Sequence, residues 1–438
     1  MAPREPLQPP AYSAALPAPP TPDPNKKIAV VLAGFNGAEI GDVLEAYEIL
    51  ARSGVFTVYS VAPERTILPL GTGPTPWGNS IDFVPQLSFA DYDAQIGRQP
   101  DLIAIPYFQA DPTSERDAVI FDWIRGHFGP DNMILGICAR NMVLADTGLV
   151  AGRTATSNNG TFAYVESHSP TTRWLHDLRY VDDGNIVTSS NLTSGIDATL
   201  HVVERFAGRA RALEVARQIG YTQTGALDDP RFVPPTHDLV SDLLPRLAIA
   251  AFEGPAQRVG VLMYDGVTEL GVPGIVDPFE GSLSSRTAFM ASRRGIVRSL
   301  HGFLFVPRYD FSTVPSIDRA VAVAGEDTAA KQRVLEEWSA VQSTRSVEDI
   351  YANVGSGETA YDVSLRDLAR TRSGFVARSI DNTLFYTANP EDFSAASPIP
   401  TEVIAVIGLA ILGAALIFAA SHRTSSPRAR LQTSPRPA

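Results

Sequence analysis

One cysteine stands among 438 residues. It cannot form a disulfide within the chain, and it excludes zinc ribbons and iron–sulfur clusters built from this chain alone. A lone cysteine leaves the redox compartment open. Positive charge is also short: 36 Lys and Arg against 48 Asp and Glu leave −12. Nucleic-acid phosphates need a basic face, so no nucleic-acid partner is expected. No group of residues has metal-ligand spacing. Gly71-Thr-Gly-Pro lacks the lysine and the following helix of a phosphate loop. Neither a metal nor any other cofactor is expected. What the chain does have is apolar material, 44 % of its residues against 19 % charged. That is enough to bury real cores in about three domains of roughly 150 residues each.

The two ends differ from the middle. Residues 1–26 are a Pro/Ala-rich tether, with Pro17-Ala-Pro-Pro-Thr-Pro22 holding the chain extended. No long apolar run stands near Met1, so no signal peptide is read there. Residues 403–420 carry no charge over 18 positions. At about 1.5 Å per residue they reach about 27 Å, the depth of a thin bilayer core. A single transmembrane helix is therefore expected over residues 399–420, started by Pro398 and Pro400, with the lipid bilayer as partner. Residues 421–438 form a basic tail with four arginines and no acid. The positive-inside rule puts that tail in the cytoplasm and favours extracytoplasmic domains. Exporting them needs an N-terminal signal, and the conflict resolves if Met1 is not the natural start.

Between the ends the pattern is α/β. Residues 28–33 (Ile-Ala-Val-Val-Leu-Ala) are continuously apolar, the mark of a strand buried on both faces. Gly34-Phe-Asn-Gly37 turns the chain, and Ile40, Val43, Leu44 and Tyr47 follow at helical spacing. Further strands are expected at residues 55–61, 102–105 and 133–137, and a hairpin turn at Asp182-Asp-Gly-Asn185. The alternation predicts a doubly wound, mostly parallel sheet over residues 27–225.

Cys138 falls where the strand at 133–137 gives way to a helix expected over residues 139–145. That is the carboxyl end of the sheet, where open α/β folds bind ligands. A helix aimed at the sulfur favours thiolate over thiol, and its N–H groups supply an oxyanion hole. The alternative is a buried cysteine acting as a small hydrophobe. Asp42 lies off the apolar face of the first helix. It serves either as an acid complementing the helix N-terminus or as a proton shuttle reaching towards Cys138.

At these residues the chain resembles the ThiJ/PfpI superfamily, the class I glutamine amidotransferase-like domains. Leu135-Gly-Ile-Cys-Ala-Arg-Asn-Met-Val-Leu-Ala145 and Gly148-Leu-Val-Ala-Gly-Arg-Thr-Ala-Thr156 are similar to its nucleophile-elbow segment. Thr188-Ser-Ser-Asn-Leu-Thr-Ser-Gly-Ile-Asp197 and His201-Val-Val-Glu-Arg205 are similar to its later pocket loop and helix. The branch resembled contains isonitrile hydratase and the sensor halves of AraC-type regulators. The resemblance covers roughly residues 27–222. It implies Cys138 as nucleophile and Asp42 as the branch's acid, with Ala139, Arg140 and Asn158 around a small-molecule pocket. The departures are specific. Cys138-Ala-Arg-Asn141 stands where members often have Cys-Thr-Gly-Ala, and Asn158 stands where the branch has histidine. No sequence reading places His127, His168, His176 or His201 near the cysteine.

An internal repeat follows. Val259-Gly-Val-Leu-Met-Tyr-Asp-Gly266 parallels residues 28–37, and Phe83-Val-Pro-Gln-Leu-Ser-Phe89 recurs as Phe305-Val-Pro-Arg-Tyr-Asp-Phe311. Residues 258–390 are read as a degenerate partial copy with Gly271 in the place of Asp42, joined by a linker at 226–257. Packing of the two copies implies an intrachain pseudo-dimer, with a homo-oligomer as the alternative. No helix-turn-helix pattern follows. The expected function is a membrane-anchored module that binds or senses a small molecule. The alternative is a cysteine-dependent hydratase or hydrolase acting on a small electrophile. Redox sensing through a Cys138 sulfenic acid is a third reading and needs the same reactive thiol.

Overall fold

The structure is a computed structural model that describes residues 16–71, 79–232, 256–342, 346–352 and 357–388, with 393, 405, 408–409 and 412–413. The first sheet has seven strands in the order Tyr180–Asp182, Ile186–Ser189, Met133–Gly136, Leu102–Ile105, Lys27–Leu32, Phe56–Ala62, Leu87–Ser88. All pairs are parallel except the hairpin Tyr180–Asp182 with Ile186–Ser189, which closes over the expected turn.

Strand alternation divides the apolar run between two cores. Ala29 and Val31 face one side, Ile28, Val30 and Leu32 the other. The second side is closed by Phe121, Trp123 and Ile124 of the helix Glu115–His127. The first side is covered by α1 (Ile40–Arg52) and α2 (Ser194–Ala207), and its core runs on without a break into residues 259–393.

The later residues build a second sheet, ordered Val347–Glu348, Arg319–Ala322, Gln257–Leu262, Ser285–Ala291, Tyr309–Asp310, all parallel. This repeats the order of five strands of the first sheet, from Met133–Gly136 to Leu87–Ser88. Its helices include α3 (Pro273–Gly281), α4 (Ala360–Thr371) and α5 (Gly374–Leu384).

The halves meet about a local two-fold axis. In a third, shared sheet, Phe83 and Phe305, the first residues of the recurring Phe-Val-Pro motif, pair directly with each other. Asp82 accepts two hydrogen bonds from Arg308 across that seam, each 2.9 Å. Helices α1 and α3 cross in the same way. Glu48, eleven residues after Gly37, accepts from the backbone N–H of Leu270 at 2.7 Å. Asp277, eleven after Gly266, lies where a Cβ on Gly41 would come within 2.9 Å of its Oδ2. Each half thus places a carboxylate at the start of the other's first helix.

The apolar segment 403–420 lies outside the described residues except at Ala405, Gly408, Leu409, Leu412 and Gly413. Among the described residues no helix is long and apolar enough to cross a membrane. The tether before residue 16 and the linker between 233 and 255 also lie outside them.

Candidate functional site

Cys138 sits on a sharp turn at the end of the strand Met133–Gly136, with φ at +57°. A non-glycine residue in the left-handed region costs roughly 1–2 kcal/mol, so the surroundings must hold it there. They do so through Asn141, whose Nδ2 donates to the carbonyls of Cys138 (3.1 Å) and Ser189 (2.9 Å). The Cys138 N–H donates to Ser189 Oγ at 3.2 Å. Gly136 is required two residues earlier, because a Cβ there would lie 2.2 Å from Asn141 Oδ1. The expected helix over 139–145 forms instead as a 3-10 turn Cys138–Arg140 followed by the seven-residue helix Asn141–Thr147.

Two carboxamides hold the sulfur. The thiol donates to Asn191 Oδ1 at 3.8 Å, and Asn158 Nδ2 donates to the sulfur at 3.7 Å. Asn158 Nδ2 also donates to Asn191 Oδ1 at 3.2 Å. Backbone contacts fix both amides: Asn191 Oδ1 accepts from the Leu192 N–H and Asn158 Oδ1 from the Gly160 N–H, each at 2.9 Å. An acceptor oxygen aimed at the sulfur suits S–H and opposes S⁻. Burial pushes the thiol well above its ordinary range, and the charges of Asp42 and Glu39 push it further. The Ala139 N–H and Asn158 act the other way and are outweighed. The expectation of a helix-stabilised thiolate is thereby corrected. The turn and short helix contribute less than the loss of water around a group only 9 % exposed.

Asp42 is fully buried, and its Oδ2 accepts from the Tyr107 N–H at 2.9 Å. Its own N–H donates to Glu39 Oε2 at 2.6 Å, so Glu39, not Asp42, caps α1. Of the residues expected around a pocket, Asn158 and Ala139 stand at the sulfur, and the side chain of Arg140 lies outside the described residues. None of the contacts of His127, His168, His176 and His201 involves the sulfur: they pair with Asp93, Tyr164, Glu166 and Asp182.

Sequence reasoning missed the contribution of the second half. Asn191 Nδ2 donates to the carbonyl of Thr383, Thr193 Oγ1 to that of Leu384, and buried Arg179 to that of Phe385. The C-terminal end of α5 thus closes over the loop that carries Asn191. Beneath it lies a group of buried carboxyls. Tyr361 Oη stands 2.9 Å from both Glu45 Oε1 and Asp277 Oδ2. One phenolic proton cannot serve two carboxylates, so one of the two carboxyls carries a proton. Burial accordingly raises Glu39, Glu45 and Asp277 well above the carboxylate range, each reinforced by its acidic neighbours. A signal was present in the spacing of Glu39, Asp42 and Glu45 on one helix, but an acidic face reads as solvated until its cover is known. Among the described residues no group of His, Cys, Asp and Glu is arranged to hold a metal ion.

The DJ-1/PfpI family model matches residues 26–205. Over 195 residues the chain is 24 % identical to Protein dj-1beta of Drosophila melanogaster, covering 44 % of this chain and 96 % of that protein. Over 198 residues it is 24 % identical to isonitrile hydratase of Pseudomonas putida, covering 43 % and 75 %. A solved ThiJ/PfpI family protein from Pseudomonas syringae is 18 % identical, covers 51 % of this chain and 87 % of its own, and superposes with a TM-score of 0.39. Residues 26–205 are a DJ-1/PfpI family domain.

Proposed function

We propose that this domain binds or senses a small molecule at Cys138 while the sulfur stays a protonated thiol. The observation that carries the reading is the pair of backbone-fixed carboxamides. Asn191 Oδ1 accepts a hydrogen bond from the thiol, and Asn158 Nδ2 donates one to the sulfur. The absence of a histidine among the sulfur's described contacts, and carboxyl groups that raise its pKa, point the same way. The test is alkylation of Cys138 by iodoacetamide as a function of pH, in the wild type and in Asp42→Asn. The expected thiol titrates above the ordinary range of about 8.5. The variant, having lost one negative charge near the sulfur, titrates lower. A wild-type thiol titrating below neutrality and raised by the substitution overturns this reading.

That second outcome fits a cysteine-dependent hydratase or hydrolase, with Cys138 as nucleophile and Asp42 moving the proton. The left-handed elbow at Cys138 and the relative named isonitrile hydratase favour it.

We further propose that residues 403–420 tether the protein to a bilayer, with the domains on the extracytoplasmic side. The uncharged run and the helical, 69 % and 61 % exposed Leu409 and Leu412 support this. The full chain is expected in the carbonate-washed membrane fraction and a chain ended at residue 398 in the supernatant. A full chain released by carbonate refutes it.

A further inference from the structure

The two-fold relation of the halves gives the second sheet a site of its own. Val31 pairs with Ala104, and Ala104 with Leu135; in the second sheet Val261 pairs with Val321, and Val321 with Glu348. Cys138 stands three residues past Leu135, and Tyr351 three past Glu348. Thr268 and Gly271 follow Gly266 at the intervals at which Glu39 and Asp42 follow Gly37. The Gly271 N–H donates to Thr268 Oγ1 as the Asp42 N–H donates to Glu39. At this second position a cavity of about 340 Å³ opens between the halves, lined by Thr268, Gly271 and Tyr351. That volume lies at the lower end of the range of small-molecule pockets, about 300–1,000 Å³.

Its chemistry differs from that at Cys138. Tyr351 replaces the nucleophile and Gly271 the acid, so the site has no thiol with which to react. The lining carries three bases, Arg52, Arg217 and Lys331, and three acids, Glu48, Glu326 and Glu358. A ligand of net charge would leave that balance uncompensated, and an apolar one would strip water from ion pairs for nothing. Arg52 is held by Glu48 through Nε at 2.6 Å and is only 10 % exposed, whereas its other partner, Glu326, is 57 % exposed and able to swing aside.

We infer that this cavity is a second binding site, for a zwitterion of amino-acid type. The ligand carboxylate meets the Nη2 side of Arg52, and the ligand ammonium takes the displaced carboxylate of Glu326. Lys331, held by Asp349 at 2.5 Å and 13 % exposed, adds positive charge on the wall contributed by the second half. The site is independent of the chemistry at Cys138.

The experiment is calorimetric titration of the full chain with each standard L-amino acid, and with glucose as an uncharged control. Saturable binding of at least one amino acid, and none of glucose, is expected. Glu326→Gln, a change on an exposed side chain that leaves Arg52 with Glu48, weakens that binding about tenfold or more, the loss of one charge-assisted contact. Lys331→Met weakens it as well, and circular dichroism confirms that both variants are folded. Cys138→Ala leaves the affinity as it was, which separates this site from the one at the elbow. No binding of any amino acid overturns the inference. So does glucose binding of equal strength, amino-acid binding that survives Glu326→Gln unchanged, or binding that is lost in Cys138→Ala.

Discussion

Replacing Arg308 by methionine tests whether the two halves are one cooperative unit. Arg308 comes from the second half and Asp82 from the first, and the guanidinium grips both carboxylate oxygens at 2.9 Å. Asp82 is fully buried and the arginine side chain 15 % exposed, so water reaches the pair poorly. Removing the guanidinium takes both of those hydrogen bonds and their positive charge from a buried carboxylate in the seam, next to the Phe83–Phe305 pairing. Taking the cation out of a buried ion pair costs about 3–5 kcal/mol. A pair on an open surface would cost about 1 kcal/mol or less. Urea unfolding decides between them, followed by far-ultraviolet circular dichroism and by fluorescence. Buried Trp123 reports on the first half and buried Trp338 on the second. The expected result is a single transition in both signals, moved to lower urea. The double variant Asp82→Asn, Arg308→Met, which removes the buried negative charge together with the guanidinium, recovers more than half of the loss. A cost below about 1 kcal/mol, or two separate transitions in the wild type, refutes the reasoning.

Two further outcomes follow from the buried polar groups. The raised carboxyls Glu39, Glu45 and Asp277 keep protons in the folded state that the unfolded chain releases, so their stabilisation is complete below the ordinary carboxylate range near 4 and is lost as pH rises through their folded-state values. The urea midpoint is therefore expected to fall as pH rises above about 5, and Asp277→Asn or Glu45→Gln to flatten that slope; a midpoint that rises over this window contradicts it. Asp182, held down to about 2 by His201 and Arg205 against its burial, loses its contribution only in stronger acid and leaves the window clear. Gly136→Ala drives a Cβ to 2.2 Å from Asn141 Oδ1 and 2.6 Å from Leu144 Cδ1, overpacking that costs about 1–3 kcal/mol. Because Asn141 holds the Cys138 turn, alkylation of the thiol should speed up in that variant, and an unchanged rate with unchanged stability would show that the elbow is held by something else.

Much of this architecture is local enough to be read along the chain. The apolar run at residues 28–33 forms a strand buried on both faces because no polar side chain interrupts it. The hairpin at residues 182–185 follows from its Asp-Asp-Gly-Asn turn, with Gly184 at φ +83°. The motif beginning at Phe83 and Phe305 marks the repeat because both copies serve one shared seam. Asp42 shows where such reading stops. It lies off the apolar face of α1, yet it is wholly buried. Helical periodicity records the side that packs on the helix's own sheet, and the cover on its other side comes from residues more than 200 positions away, Asp277 and Tyr361 among them.

What the linear order determined, then, was the winding of the first sheet, the place of Cys138 at its carboxyl end and the presence of a worn second copy. Each follows from neighbours close in sequence, through backbone geometry and the period of apolar side chains. Only the tertiary structure decided the state of the sulfur and of the acids around it. A proton's free energy depends on how much water remains and which charges face the group. At Cys138 both are set by Asn158, Asn191 and the closing end of α5, groups that meet only when the chain has folded.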